Sequence, residues 1–233
     1  MALQSKLRKI IKHQFLKLYT LSPTIIFWFA KRNIINTYQP IWQHQTSKAN
    51  RSCEDRWKKI QPLLPDTAFS FLDIGAQIGY FTLSAANAGA LSIGIERDPY
   101  FVAMANSQAI YNKIQRISFI KMDITPDIIE LLPRVNVTCC LSVFHHWVRE
   151  YEFSGADKIF SKICENTDSI FFETGQSNEP VPEWQHKLSF MGDLPETWIE
   201  TYLKEKGFTT VKQLGKFPTH LTNIDRTLYY ATK

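Results

Sequence analysis

Short apolar segments that alternate with helical segments from residue 70 to the end are the feature that most limits the fold of this sequence. The apolar segments are rich in Ile, Val, Leu and Phe along their whole length, which is typical of strands buried on both faces. Strands of this kind belong to a parallel sheet that helices cover on both sides. The sequence therefore predicts an α/β fold with a Rossmann-like, doubly wound and mostly parallel sheet.

Seven strands are predicted, at residues 70–75, 91–96, 117–123, 135–143, 169–174, 210–214 and 227–232. Helical segments follow the early strands, and Asp98 with Pro99 supplies an N-cap and first-turn pair for one of them. No helical segment separates the last two strands, so we expect the last strand to run antiparallel. We interpret residues 61–233 as this sheet domain and residues 1–60 as a basic helical N-terminal extension.

The N-terminal extension holds most of the positive charge. Residues 1–59 carry twelve Lys and Arg residues against two acids, so the remainder is acidic although the whole chain has a net charge of +5. Within residues 1–32, a basic amphipathic helix precedes a short aromatic run that is about half of the roughly 20 residues needed to span a bilayer. We predict a cytoplasmic protein that attaches peripherally to an anionic membrane surface through residues 1–32. The alternative is that these residues pack on the main domain as a helical cover over its substrate pocket.

The composition also disfavours two kinds of site. The acidic balance after residue 59 argues against a broad nucleic-acid footprint on the main domain. The four cysteines have no CxxC spacing, and two of them are adjacent within a predicted strand. We therefore expect reduced thiols in the cytoplasm and no metal site.

The segment FLDIGAQIGYFT joins the first predicted strand to a helix, with Asp73 at the strand end, Gly75 in the turn and Gly79 at the helix start. A parallel sheet binds its ligand at the carboxyl ends of its strands, so Ala76 and Gln77 in this turn belong to the predicted site. A dinucleotide fingerprint would need glycine at Gln77, and a P-loop would need lysine directly after Gly79. The turn therefore disfavours NAD and ATP.

Two further acids end the next two predicted strands. Glu96 ends the second strand, where its carboxylate can bind two ribose hydroxyls. Asp123 ends the third strand, where it can accept a hydrogen bond from an adenine amine, with Ile124 beside the ring. The neighbouring Arg97, and Ser142 at the end of the fourth strand, complete the predicted cofactor-binding set. Three acids in register predict a ligand that has a ribose and a cationic centre.

From residue 70 to 233 the sequence resembles the class I S-adenosylmethionine-dependent methyltransferases, including the GF dipeptide before the trailing pair of strands. The stretch DIGAQIGYFTLSAA, with the following IERDPYFVAMAN, is especially similar to the FkbM-type O-methyltransferases, although no D-x-E-G segment follows the fifth strand. The resemblance implies S-adenosylmethionine as cofactor. It assigns the methionine part to Asp73, Gly75 and Gly79, the ribose to Glu96, and the adenine to Asp123 and Ile124.

Candidate catalytic residues follow the fourth and fifth strands. The segment SVFHHW places His145 and His146 after the fourth strand, and either can take a proton near neutral pH. The alternatives are that one histidine stacks on the cofactor or caps the next segment. Glu173 ends the fifth strand. Three interpretations are open for it: a group that binds the acceptor, a partner that orients a histidine, or an exposed strand end. The loop at residues 175–194 is longer than most connections, which indicates a lid or a wall of the acceptor site.

These features predict a methyltransferase that acts on an oxygen of a small-molecule, lipid-linked or glycan acceptor. An RNA methyltransferase is one alternative, supported by the basic N-terminus. A non-catalytic cofactor-binding module that uses the N-terminal helix for a partner is another. Methyl transfer is an in-line displacement, so alignment of the two reactants supplies most of the expected rate enhancement.

Overall fold

A seven-stranded sheet in the order β3-β2-β1-β4-β5-β7-β6 forms the centre of the computed structural model, which describes Trp28 and residues 38–44, 51–219 and 221–233. The strands are β1 Ser70–Ile74, β2 Leu91–Glu96, β3 Ile117–Lys121, β4 Val135–Leu141, β5 Thr167–Glu173, β6 Thr210–Phe217 and β7 Arg226–Thr232. Within residues 51–219 and 221–233, the α-helices are α1 Cys53–Ile60, α2 Tyr80–Asn87, α3 Pro99–Tyr111, α4 Phe144–Glu165 and α5 Pro195–Glu205. The same residues contain three short 3-10 helices, at Gln61–Leu63, Ile129–Leu131 and His186–Met191.

Strand direction follows the predicted pattern. The strands β1 to β5 pair in parallel, and β7 pairs antiparallel with both of its neighbours, β5 and β6. A tight connection can join only antiparallel neighbours, which is why the helix-free link between β6 and β7 reverses the chain. The prediction of a mostly parallel sheet with an antiparallel last strand is confirmed.

Apolar side chains cover both faces of the sheet. One core cluster packs α1, α2 and α3 against one face, around Phe71 and Phe81. The other packs α4 and α5 against the opposite face, around Phe144, Phe160 and Tyr202. Burying the central strands on both sides requires side chains that are apolar on both sides, as the sequence has. The doubly wound arrangement is therefore confirmed.

Helix α4 follows β4 closely. The strand predicted at residues 135–143 ends two residues earlier, at Leu141. In the structure α4 begins at Phe144, directly after β4, and one non-helical residue, Glu152 at φ 56° and ψ 179°, kinks it. The chain turns sharply at Ser142, which has φ 62° and ends the strand. His145 and His146 consequently lie in the first turn of a helix.

The part of the chain before β1 packs on the sheet domain. Cys53 and Ile60 of α1 are fully buried in the cluster around Phe71. Trp42 donates from its backbone to Gln108 Oε1 at 2.7 Å and from its ring to Ser84 Oγ at 2.9 Å. The predicted division at residue 60 stays a prediction, although residues 51–60 contribute to the core of the sheet domain.

Residues 1–32, for which an amphipathic helix and a short aromatic run were predicted, lie outside the described residues except for Trp28, which is exposed. None of the helices that the structure describes is both long enough and apolar enough to cross a membrane.

Candidate active site

A cavity of about 390 Å³ opens at the carboxyl ends of the parallel strands. Strands β1 and β4 meet there, where the strand order reverses, which is the place where open α/β sheets bind ligands. Its volume lies within the usual range for small-molecule sites. Eleven of the thirteen predicted site residues line it, namely Asp73, Gly75, Gln77, Glu96, Arg97, Asp123, Ile124, Ser142, His145, His146 and Glu173.

The turn after β1 needs its two glycines. Gly75 has φ 70°, and a Cβ atom there would lie 2.5 Å from Cγ2 of Val143. Gly79 has φ 87°, and a Cβ atom there would lie 2.6 Å from Cζ of Phe119. Gly79 and the fully buried Ala76 do not line the cavity, although both were predicted to belong to the site. The Ala76 amide donates to the Ile95 carbonyl at 2.9 Å and so ties the turn to β2.

Gln77 occupies a left-handed position in the same turn, at φ 53°. Its side-chain oxygen accepts from the backbone amides of Gln39 at 3.3 Å and Ile78 at 3.2 Å. The side-chain oxygen of Gln39 in turn accepts from the backbone amide of Tyr80 at 3.1 Å, at the start of α2. Residues 38 and 39 therefore belong to the site, although no sequence motif marked them.

Asp73 ties the end of β1 to the first turn of α2. Its Oδ2 atom accepts from the Thr82 hydroxyl at 2.6 Å and from the Thr82 amide at 3.1 Å. Burial raises the pKa of this carboxyl to about 6, against the effect of those hydrogen bonds. Because both hydrogen bonds go to one oxygen, Oδ1 keeps its lone pairs for other donors.

Glu96 is held by two backbone amides, one on each carboxylate oxygen. Oε2 accepts from Gln77 and Oε1 accepts from Asp98, both at 2.9 Å. Burial raises the pKa of Glu96, while the backbone hydrogen bonds counteract part of that rise. Each oxygen keeps a second lone pair, so the carboxylate can still receive two hydroxyl donors.

The wall beyond Glu96 is formed by the ends of β2 and β3 and by α4. Ile124 is buried, whereas Asp123 is exposed at the rim. Arg97 pairs with Glu150 of α4 at 2.9 Å and so bridges the two sides of the cavity. Strand β3 ends at Lys121, two residues earlier than predicted, and Asp123 therefore lies on the following loop.

His145 is buried, and its lone pair is already used. Nδ1 accepts from the Gly175 amide at 2.9 Å and lies 3.3 Å from the Thr174 hydroxyl. Accepting that amide proton requires the tautomer with hydrogen on Nε2, which is then a donor. Burial and the nearby His146 and Arg226 hold the pKa of His145 well below its usual value. These contacts correct the interpretation of His145 as a general base. His145 is a neutral residue whose ring accepts a backbone amide and so fixes the chain after β5.

His146 has a different environment. It is half-buried at the cavity wall, and its Nδ1 has no hydrogen-bond partner in the described part of the chain. Burial, followed by the charges of Arg149 and Arg97, lowers the pKa of His146 to about 4. The imidazole is therefore neutral at pH 7 and retains a lone pair that can accept a proton.

Glu173 is neither an exposed strand end nor a partner of a histidine, which corrects both of those interpretations. Its side chain is 1% exposed and pairs with Arg51 and Arg56, each at 2.7 Å. It also accepts from the Ser142 hydroxyl at 2.9 Å. Burial alone raises the pKa of Glu173, but the two arginines outweigh burial and hold the pKa below its usual value. The carboxylate is therefore an ionised anchor.

Arginines that sequence reasoning missed surround this end of the cavity. Arg226 donates two hydrogen bonds to the buried Glu179, at 2.7 and 2.6 Å, and a third to the Ser142 hydroxyl at 3.0 Å. Arg51 and Arg56 had been counted only as part of the basic N-terminal extension. No local pattern marked them, because their partners lie more than 100 residues away in the sequence.

The loop at residues 175–194 is part of the core. Trp184, Leu188 and Met191 are buried and pack with the residues of α4 and α5. Trp184 also lies against His145, with ring centroids 4.6 Å apart, and lines the cavity. The loop is therefore a fixed wall of the cavity, held by burial.

No protein-family model matches the chain. Among curated proteins, the chain is 25% identical over 202 residues to the O-antigen chain terminator bifunctional methyltransferase/kinase WbdD of Escherichia coli. That match covers 82% of this chain and 27% of WbdD, so the chain spans about a quarter of the length of its relative.

Solved structures show the same fold. A crystal structure of WbdD superposes with a TM-score of 0.72 at 24% identity, over 88% of this chain and 46% of that one. The N-terminal domain of EvdMO1, crystallised in the presence of S-adenosylhomocysteine and D-fucose, gives a TM-score of 0.61 at 16% identity over 89% and 95% of the two chains. Magnesium protoporphyrin IX methyltransferase of Synechocystis with bound S-adenosylmethionine gives 0.55 at 22% identity, over 76% of each chain.

The narrower resemblance to the FkbM-type enzymes stays a prediction. The chain is similar in sequence to the methyltransferase/kinase WbdD, and its strand order and the position of its cavity are those of the Rossmann-like methyltransferase fold.

Proposed function

We propose that this chain binds S-adenosylmethionine in the cavity and transfers its methyl group to an oxygen of a small-molecule or glycan-like acceptor. The observation that carries the proposal is the set of three acids, Asp73, Glu96 and Asp123, at the ends of three adjacent strands beside a glycine turn. The same turn lacks the glycine and lysine patterns that bind phosphates.

The described residues fit this cofactor. Glu96 has two oriented oxygens with free lone pairs, which suit two ribose hydroxyls. Ile124 supplies an apolar surface and Asp123 an acceptor beside it, which suit an adenine. Asp73 offers its Oδ1 atom next to the turn at Gly75, which suits the methionine part.

S-adenosylmethionine supplies an electrophilic methyl group on a sulfonium. The protein supplies alignment, which can contribute on the order of 7 to 11 kcal/mol, and the buried Trp147 and Trp184 form apolar walls of the cavity. His146 is the group that we propose to take the hydroxyl proton, because it is neutral and lines the cavity. Glu173 does not serve as a base, because two arginines neutralise its charge.

The acceptor class follows from the relatives by analogy. WbdD terminates an O-antigen chain, and EvdMO1 was crystallised in the presence of D-fucose. A cavity that has three arginines, one glutamate and a tryptophan at one end supports an oxygen-rich acceptor. We therefore propose a sugar or a lipid-linked glycan ahead of RNA.

Residues 1–32 extend this proposal to a membrane surface. We propose that the amphipathic helix predicted in this segment carries the domain to a lipid-linked acceptor from the cytoplasmic side. Flotation of the full chain with anionic and neutral vesicles, at low and high salt, tests this. Flotation that is equal with both vesicle types, or absent with both, removes the membrane part of the proposal.

The main experiment has two steps. Titration calorimetry should detect binding of S-adenosylmethionine and S-adenosylhomocysteine but not of NAD or ATP. Labelled S-adenosylmethionine, incubated with the protein and separate glycan, lipid, RNA and metabolite fractions, should then transfer label to the glycan or lipid fraction. Binding of NAD without binding of either sulfur nucleoside would contradict the proposed cofactor, and label in RNA alone would contradict the acceptor class.

A further inference from the structure

The proposed reaction gives no role to Arg226, the first residue of β7, although this residue lines the cavity. Arg226 donates from Nε and Nη2 to the two carboxylate oxygens of Glu179, at 2.7 and 2.6 Å, and the two side chains are 4% and 0% exposed. Its third hydrogen bond runs from Nη1 to the Ser142 hydroxyl at 3.0 Å. One buried guanidinium therefore joins β7 to the loop after β5 and to the turn after β4.

Ser142 adopts a backbone conformation that needs support. Its φ of 62° lies in the left-handed region, where residues other than glycine are uncommon. Its hydroxyl donates to the Glu173 carboxylate at 2.9 Å and accepts from Arg226, and its amide donates to the Glu173 carbonyl at 2.6 Å. A strained residue persists only where its surroundings hold it, and these three hydrogen bonds hold Ser142.

The turn at Ser142 lies between the cofactor turn and the proposed base. The next residue, Val143, approaches Gly75 so closely that a Cβ atom on Gly75 would lie 2.5 Å from its Cγ2. The Val143 carbonyl accepts from the amide of His146 at 2.8 Å, in the first turn of α4. The position of this turn therefore sets the distance between the cofactor turn and His146.

Glu179 links Arg226 to the neighbouring histidine. Its Oε1 atom accepts from the Gln176 amide at 2.9 Å, in addition to its bond with the arginine. Gln176 directly follows Gly175, whose amide donates to Nδ1 of His145 at 2.9 Å. Two chains of contacts from one guanidinium thus end at adjacent residues in the first turn of α4.

We infer that Arg226 is a positioning residue for methyl transfer, an inference that rests on the proposed role of His146. Through Ser142 it fixes the turn that carries His146, and through Glu179 it fixes the loop that holds His145. It acts on the alignment of the base and not on the nucleoside of the cofactor, whose proposed ligands lie on the side of β2 and β3. A displacement of about 1 Å in such an alignment can lower a rate about a hundredfold.

The test removes Arg226 together with the charge of its partner, because a lone Glu179 carboxylate would be left buried without a counter-charge. The double variant Arg226→Met with Glu179→Gln leaves no unpaired charge, and Gln keeps an oxygen for the Gln176 amide. We expect kcat to fall roughly 10- to 100-fold, measured with labelled S-adenosylmethionine and the fraction that the unchanged protein labels. Calorimetry should find the Kd of S-adenosylhomocysteine within about threefold of the unchanged protein. An unchanged kcat, or an equal loss in kcat and in affinity, overturns the inference.

Ser142→Ala tests whether Arg226 acts through the Ser142 hydroxyl. This variant should lower kcat by a similar factor. Adding it to the double variant should cause no further loss, because both changes break the same link. Losses that multiply in the combined variant would mean that the two residues act independently, which overturns the inference.

Asp157→Asn is the control on the same helix, about three turns after His146. It removes the charge that pairs with Lys206, so it should lower the unfolding temperature and keep full kcat at a temperature where the protein is folded. A loss of kcat equal to that of the double variant would mean that reduced stability slows the reaction, which overturns the inference.

Hydrogen exchange at the His146 amide needs no acceptor. This amide donates to the Val143 carbonyl, so it should lose most of its protection in the double variant. The Leu83 amide, which donates to the Gly79 carbonyl at 2.8 Å in the first turn of α2, should keep its protection. Unchanged protection at His146 overturns the inference. Absence of label transfer by the unchanged protein, with every fraction, overturns the proposed function instead, and loss of protection at His146 in that case still supports the link from Arg226.

Discussion

The two ends of the cavity are built in different ways. One end contains the glycine turn beside the proposed methionine part and the two acids proposed for the nucleoside, and we call it the nucleoside end. Its acids Asp73, Glu96 and Asp123 follow three neighbouring strands, and backbone amides close by in the sequence orient the first two. At the other end, Glu173 is oriented by Arg51 and Arg56, which lie 122 and 117 residues away in the sequence. Local motifs therefore build the first end, whereas contacts between distant segments build the second.

The two ends also differ in electrostatics. Burial raises the pKa of Asp73 and Glu96, since backbone and hydroxyl donors offset only part of the desolvation. Two full positive charges instead lower the pKa of Glu173. The nucleoside end is thus an acidic surface with free hydrogen-bond acceptors, and the other end is a compact ion cluster that stabilises the fold.

The largest expected effect is at the ion cluster. Glu173→Gln leaves Arg51 and Arg56 buried without a counter-charge and should lower the free energy of unfolding by about 3–5 kcal/mol. Urea denaturation measures it. Glu130→Gln is the control, since it removes an exposed partner of Lys162 and should cost at most about 1 kcal/mol. A loss below about 1 kcal/mol for Glu173→Gln would contradict the buried-cluster interpretation.

The second-largest effect on the free energy of unfolding is expected at the glycine turn of the nucleoside end. Gly75→Ala adds a Cβ atom 2.5 Å from Val143 at a left-handed position, so we expect about 3 kcal/mol from strain and overlap. Gly89→Ala also has a positive φ but meets nothing within 4 Å, and it should cost about 1–2 kcal/mol. Denaturation curves compare the two. Equal losses would mean that backbone strain, and not contact with Val143, sets the requirement for glycine.

His146→Ala should lower kcat about a hundredfold and leave the Kd of the cofactor within a few fold. Because burial and two arginines lower its pKa to about 4, His146 is neutral from pH 6 to 9, and kcat should stay flat there. The rate should fall only as pH approaches 4, where the base becomes protonated. A matched His186→Ala variant changes an exposed histidine and should keep full activity. An acidic limb near pH 6.5, or full turnover without His146, would contradict the role of this base.

Glu96→Ala should have the smallest effect of the four. It removes a carboxylate that receives two backbone amides, and we expect cofactor binding to weaken by about 1.5–3 kcal/mol. Calorimetry with S-adenosylhomocysteine and with 5′-methylthioadenosine should show the same loss, because both ligands keep the ribose. A loss for only one of the two would place Glu96 at the amino-acid part and remove the contrast between the two ends.

Sequence reasoning worked best where neighbours along the chain build the structure. The strand and helix alternation predicted the doubly wound sheet, and the glycine turn with its three acids predicted residues that line one cavity. It was less successful after β4, where α4 begins at Phe144 and brings His145 to the Gly175 amide. The tautomer of His145 depends on a residue 30 positions away, which no local pattern contains.

The sequence by itself determined the layers, the strand directions and the cofactor turn, because apolar periodicity and the steric demands of glycine act over a few residues. Only the tertiary structure decided which charges meet. Arg51 and Arg56 are two basic residues among twelve in residues 1–59 until folding places them at Glu173. The physical reason is that an ion pair depends on distance in space, and a buried pair survives only where packing brings both charges together out of water.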